Sequence, residues 1–156
     1  MREDMNPCFI ALDFDGTVVE HRYPAVGTDI GAAPVLRRLV KNGHKLILNT
    51  MRSHNSEGID TLKPALEWFE NNRISLYGVN ENPSQKEWTS SPKVHGNLYI
   101  DDSALGAPVK ADSLGAACLD WSKAALYLML TGMLSENDIL ELLEEGIIDP
   151  EHVQLK

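Results

Sequence analysis

The sequence predicts an α/β fold built on a doubly wound parallel sheet, and three observations predict it. Short apolar runs that suit strands buried on both faces alternate with longer runs carrying apolar residues at helical spacing. The strand-like runs end abruptly in acidic or hydroxyl residues, at the edge where ligands bind in open α/β sheets. The chain has 156 residues, enough for one domain with a sizeable core and no disulfides.

Cys8-Phe9-Ile10-Ala11-Leu12 is the first strand, and Asp13-Phe14-Asp15-Gly16-Thr17 follows it directly. The glycine marks where the chain turns out of the sheet. Residues 17–28 have little helical character and form a flap over the end of that strand, an extended or two-stranded excursion. Gly31-Ala32-Ala33-Pro34 opens a helix, with proline acceptable in the first turn. Val35, Leu36, Leu39 and Val40 are its apolar stripe, and Asn42-Gly43 stop it. Lys45–Asn49 is the second strand and leads into Thr50-Met51-Arg52.

Ile59, Leu62, Leu66 and Phe69 recur at helical spacing, and Pro64 requires the regular helix to begin near Thr61 or to kink. Ile74–Val79 is the third strand, and Asn80–Pro92 a polar loop containing Trp88, expected to pack on the core. Asn97–Ile100 is the fourth strand and ends in Asp101-Asp102; Ala116–Leu119 is a plausible fifth. Two helices close the chain within residues 120–146. The second starts at Ser135 with Asp138 three residues on, a capping box, and Leu134 stapled to Ile139. Residues 1–156 read as a single domain.

The net charge is −9, and −6 of it lies in Ser135–Lys156, where seven acids face one lysine. No basic stripe suggests extended nucleic-acid binding. The apolar-rich run Ala124–Leu134 is far shorter than the roughly 20 residues a bilayer requires. Polar Met1–Pro7 and the short apolar run after it do not resemble a signal peptide. Cys8 and Cys118 suit a reduced compartment, and the expected location is cytoplasmic. His44, His54, His95 and His152 are too scattered to argue for zinc.

Asp13 and Asp15 alternate with one aromatic, so both carboxylates can project past the same strand end. Carboxylates that close repel unless a cation or shared proton offsets them, which suggests a metal-assisted site. A solvated acidic loop with one acid as a helix cap is the plainer alternative. Thr50 and Asp101-Asp102 fall at the same edge, and Lys93 precedes the fourth strand with Lys86 nearby. Taken singly, Thr50 and Asp102 could be caps and Lys93 a surface lysine.

In this order the residues resemble the haloacid dehalogenase-like (HAD) superfamily of phosphatases and phosphotransferases. The four motifs match at Asp13-Phe-Asp-Gly-Thr17, Thr50, Lys93 and Asp101-Asp102, over roughly residues 8–105. The resemblance implies a Rossmann-like core. The intervals from Asp15 to Thr50 and from Thr50 to Lys93 are filled by expected core elements, so no large cap domain fits. It implies a Mg²⁺-dependent phosphomonoester hydrolase, with Asp13 the nucleophile that forms an aspartyl-phosphate and Asp15 the acid/base. Thr50 would donate to a phosphoryl oxygen, and Lys93 would neutralise charge. Mg²⁺ would be held by Asp13, the backbone carbonyl of Asp15 and Asp101, with Asp102 direct or one step removed. Arg52, His21 and Arg22 are candidates to grip the leaving group of a phosphorylated substrate, expected to be a small molecule.

Transfer to an acceptor other than water is the alternative enzyme reading. A receiver-like or non-catalytic phosphate-binding module is the non-enzyme one, although a receiver domain places its lysine last. A homo-oligomer is possible through the closing helices.

Overall fold

The computed structural model describes residues 7–54 and 58–153. Strands β1 (Phe9–Leu12), β2 (Lys45–Leu48), β3 (Leu76–Val79) and β4 (Leu98–Ile100) form one parallel sheet in the order β3-β2-β1-β4. The chain winds from β1 out to β3, then returns to place β4 on the other side of β1, so winding reverses beside β1. This is an α/β architecture compatible with a Rossmann-like fold.

Helix α1 (Ala32–Lys41) joins β1 to β2, and α2 (Leu62–Asn71) joins β2 to β3. Both begin where an aspartate accepts orphan backbone N–H groups. Asp29 takes those of Gly31, Ala32 and Ala33, and Asp60 takes those of Leu62 and Lys63. Pro64 falls in the first turn of α2, so the helix starts late and needs no kink. The last helices are α3 (Trp121–Leu130), capped by Asp120, and α4 (Glu136–Glu144), opened by the Ser135/Asp138 capping box.

Alternate residues of the central strands face different layers. Ile10, Leu12, Leu46 and Leu48 belong to the main core with the apolar stripes of all four helices. Ala11 and Ile47 face the other way and pack with Val94, under the loop that carries a 3-10 turn at Pro83–Glu87. No α-helix of the described residues covers that face.

Two expectations need correction. Ala117–Leu119 is a strand (β6), but it pairs antiparallel with β5 (Val109–Ala111) in a separate hairpin and does not extend the sheet. Its Leu119 N–H instead donates to the Gly16 carbonyl, bracing the turn after β1. Trp88 is 65% exposed and meets the His95 ring edge-on, outside the core.

Cys8 and Cys118 are not joined by a disulfide. No helix of the described residues is long and apolar enough to cross a membrane.

Asp138 ties α4 to the rest of the fold. It is buried, accepts the Ser135 N–H at 2.8 Å, and accepts Asn42 Nδ2 at 3.0 Å from the end of α1. Replacing it removes the carboxylate that both half-buried groups donate to. Asp138→Ala should lower unfolding stability by about 2–3 kcal/mol, against about 1 kcal/mol for Ser135→Ala, which loses only part of the cap. Urea denaturation checks this, and equal losses would contradict it.

Candidate active site

The parallel register of β1 and β4 builds the site. Leu12 stands beside Ile100, so the residues one step on, Asp13 and Asp101, leave the sheet side by side. The Asp13 N–H donates to the Ile100 carbonyl at 3.0 Å and fixes that exit. One carboxylate oxygen from each of Asp13, Asp101 and Asp102 lies within 4.8 Å of the others, and all three residues are half-buried.

Thr17 organises the group. Its hydroxyl lies 3.0 Å from Asp13 Oδ2 and 2.8 Å from Asp102 Oδ1, and accepts the Asp102 N–H at 3.0 Å. Its carbonyl takes the indole N–H of buried Trp121 at 2.6 Å. Gly16, at φ +78°, lets the chain turn there; a Cβ would stand 2.8 Å from Asp102 Oδ2. Asp101 Oδ1 accepts both the N–H and the hydroxyl of Ser103, leaving its other oxygen for the cluster.

Burial pushes the Asp13 carboxyl up to about 7, helped by the charges of Asp101 and Asp102 and opposed by the Phe14 N–H and the Thr17 hydroxyl. No lysine or arginine of the described residues forms an ion pair with these three acids. Three carboxylates are the type of donor set that a hard divalent cation takes.

Asp15 points elsewhere. Arg52 Nε and NH2 donate to its two oxygens at 2.7 Å each. The remaining guanidinium N–H groups go to the carbonyls of Pro24 (3.1 Å), Thr61 (2.9 Å) and Ala25 (2.7 Å). Arg52 is only 1% exposed and lies between the rings of Phe14 and Tyr23. All five donors are taken, so the side chain proposed to grip a substrate has no hydrogen left for one. It joins Asp15, the flap and the start of α2 into one unit.

Arg22 is also committed. It pairs with Glu20 at 2.9 Å and Asp112 at 3.0 Å, while Glu20 accepts the Ser113 hydroxyl and N–H. Those contacts pin the flap to the turn of the β5–β6 hairpin and hold the Glu20 carboxylate below the usual range. The flap is two arms, hydrogen-bonded between Glu20 and Thr28 and between Ile30 and Val18. Its Gly27 is required because a Cβ there would lie 2.0 Å from the Glu20 carbonyl. His21 is exposed on it.

Thr50 sits two residues beyond β2. Its hydroxyl oxygen accepts the Arg52 N–H at 3.1 Å, which leaves the hydroxyl hydrogen to donate. Its own N–H is held at 2.8 Å by the side chain of Asn80, a residue in the left-handed region (φ 54°) at the end of β3. Lys93 is exposed with its ammonium 5.7 Å from the Tyr99 ring centre, outside the acidic cluster; Lys86 pairs with Glu81.

Thr17 was visible in the first motif without a role, and Asn80 gave no signal. Nor did the clasp of Glu20 with Ser113 and of Arg22 with Asp112, whose partners lie 93 and 90 positions apart.

A solved structure of a conserved protein from Bacteroides thetaiotaomicron is 32% identical to this chain, with a TM-score of 0.62. The match covers 86% of this chain and 98% of the other. No protein-family model matches the chain, and no curated protein does.

Burial of the Asp13 carboxyl, beside the charges of Asp101 and Asp102, has a thermodynamic consequence. Asp13 titrates near 7 when folded, against about 4 when unfolded, so the native state holds its proton more tightly. That stabilisation is complete below pH 4 and is lost as pH rises through 7. In EDTA, Asp13→Asn should therefore become progressively more stable than the parent between pH 5 and 8, reaching roughly 1–3 kcal/mol. A margin that does not vary with pH in thermal unfolding would contradict the assignment.

Proposed function

We propose that this chain, which belongs to the same family as that Bacteroides thetaiotaomicron protein, is a Mg²⁺-dependent phosphomonoester hydrolase with a capless haloacid dehalogenase-like core. The observation that carries the reading is the set of three carboxylates, Asp13, Asp101 and Asp102, gathered around the Thr17 hydroxyl at the carboxyl edge of the sheet. The order of motifs along the chain supports the same reading.

In this reading Asp13, Asp101 and Asp102 would hold the metal, which would supply positive charge against the phosphoryl oxygens. An Asp13 carboxylate oxygen attacks phosphorus, the bond to the leaving oxygen breaks, and that oxygen departs with the electron pair. Asp15 delivers the proton it needs. Arg52 occupies one lone-pair direction on each Asp15 oxygen and fixes the plane of the carboxyl, leaving a second direction on each open to the substrate. Water, deprotonated by Asp15, then attacks phosphorus of the aspartyl-phosphate, releasing inorganic phosphate and restoring Asp13.

The Thr50 hydroxyl, oriented by Asn80 and Arg52, donates to a phosphoryl oxygen. Lys93 turns from Tyr99 toward the nucleophile and the phosphoryl group, an electrostatic contribution favoured where water is excluded.

Purified protein should release phosphate from acetyl phosphate or aryl phosphates with Mg²⁺ and lose that activity in EDTA. Asp13→Asn should reduce kcat by at least about 10³-fold, and Thr50→Val by about 10–100-fold. Turnover that survives chelation or persists in Asp13→Asn would overturn the proposal.

A further inference from the structure

The cations of the flap and of the loop after β2 are already committed. Arg52 places all five donors on protein acceptors. Arg22 lies between Glu20 and Asp112. His54 is paired with Asp60 at 2.5 Å. Lys93 is assigned above to the phosphoryl group. The large exposed apolar side chains of the same segments are Tyr23 at 51%, Met51 at 96% and Ile59 at 61%, beside the exposed polar residues His21, Thr28, Asp29, Ser53, His54 and Asp60.

These three side chains belong to segments that Arg52 binds together. Tyr23 lies over its guanidinium, 5.3 Å from ring centre to Cζ, next to the Pro24 and Ala25 carbonyls that Arg52 holds. Met51 separates Thr50 from Arg52, and Ile59 is two residues before Thr61, whose carbonyl takes another Arg52 N–H. Arg52 in turn holds Asp15, the group that serves the leaving oxygen in the hydrolase reading. These segments thus bring three large apolar side chains to the Asp15 side of the site, and among the described residues both of their arginines are already paired.

Resting on that reading, we infer that the substrate is a phosphomonoester whose leaving group is uncharged and presents a flat or apolar face, held by Tyr23 and Met51. A second phosphate or a carboxylate on that side would be desolvated with no arginine or lysine to meet it. It would also approach a chain of net charge −9. An aromatic or hydrocarbon face loses nothing by meeting Tyr23 and the flexible Met51 thioether, and it covers apolar area that is now in water. Exposed His21 remains as a hydrogen-bonding partner for a neutral hydroxyl or carbonyl.

The test compares alkyl esters, with acetyl phosphate as the control for phosphatase chemistry. With Mg²⁺, kcat/KM for 2-phenylethyl phosphate should exceed that for 3-phosphoglycerate by at least tenfold, equivalent to about 1.4 kcal/mol. Met51→Ala and Tyr23→Ala should each lower the ratio of kcat/KM for 2-phenylethyl phosphate to that for methyl phosphate by three- to tenfold, mainly through KM. Tyr23→Phe should retain the ratio. Met51 is almost wholly exposed, so its variant keeps the fold even if a Tyr23 variant does not.

Equal or better use of 3-phosphoglycerate, or a ratio unmoved by Met51→Ala, would overturn this inference while turnover of acetyl phosphate leaves the hydrolase reading in place. Failure on acetyl phosphate and on every ester would remove the hydrolase reading, and this inference with it.

Discussion

Three half-buried carboxylates held within 4.8 Å of one another are the constraint on which the site depends. Like charges in such a space repel strongly, and the protein answers with a hydroxyl and a proton, without a basic side chain. Thr17 stands between Asp13 and Asp102, and Asp13 holds its proton up to about pH 7. The cluster is therefore a cost carried by the fold wherever Asp13 is ionised. The parallel register of β1 and β4 generates it, because Leu12 beside Ile100 carries the next residue of each strand to the same point. Trp121 and Leu119, from elements far along the chain, brace the Gly16–Thr17 turn that keeps the carboxylates in place.

Arg52 is the second organising residue, and its role is positional. A guanidinium that is 1% exposed and satisfied at all five N–H groups is tolerated in a core only because every donor has a partner. Its partners come from the turn after β1, the flap and the start of α2, so one side chain couples three segments that the sheet alone would leave independent. The acidic cluster and the Arg52 hub divide the site. One side carries the three clustered carboxylates, and the other pairs Asp15 with the guanidinium. The clasp of Glu20 and Arg22 with the β5–β6 hairpin holds the flap from its other flank.

Much of this was legible in the residues. The strand runs, α1 with its Asn42-Gly43 stop, and the Ser135/Asp138 capping box fall where local patterns place them, because propensity and burial agree there. Asp13, Asp101 and Asp102 were legible as a group because each follows a buried strand of a parallel sheet. The fifth strand was legible as a strand but its partner was not: Ala117–Leu119 has a strand's composition, which does not say which edge it joins. Arg22 and Arg52 read as cations at the rim, whereas their charge is spent inside the protein. Asn80 was invisible, since a polar residue after a strand has many uses and only its left-handed backbone and the nearby Thr50 N–H select this one.

The sequence by itself determined the alternation of strands and helices, and hence which chemical groups stand at the carboxyl edge of the sheet, because periodicity and strand ends are local properties. Tertiary structure decided what those groups face. Through-space pairing separated the carboxylates that cluster from the one that binds Arg52, committed Arg22 and Arg52 to protein partners, and left Tyr23, Met51 and Ile59 exposed. Such partnerships join residues from 37 to more than 90 positions apart, and no local pattern encodes a contact at that distance.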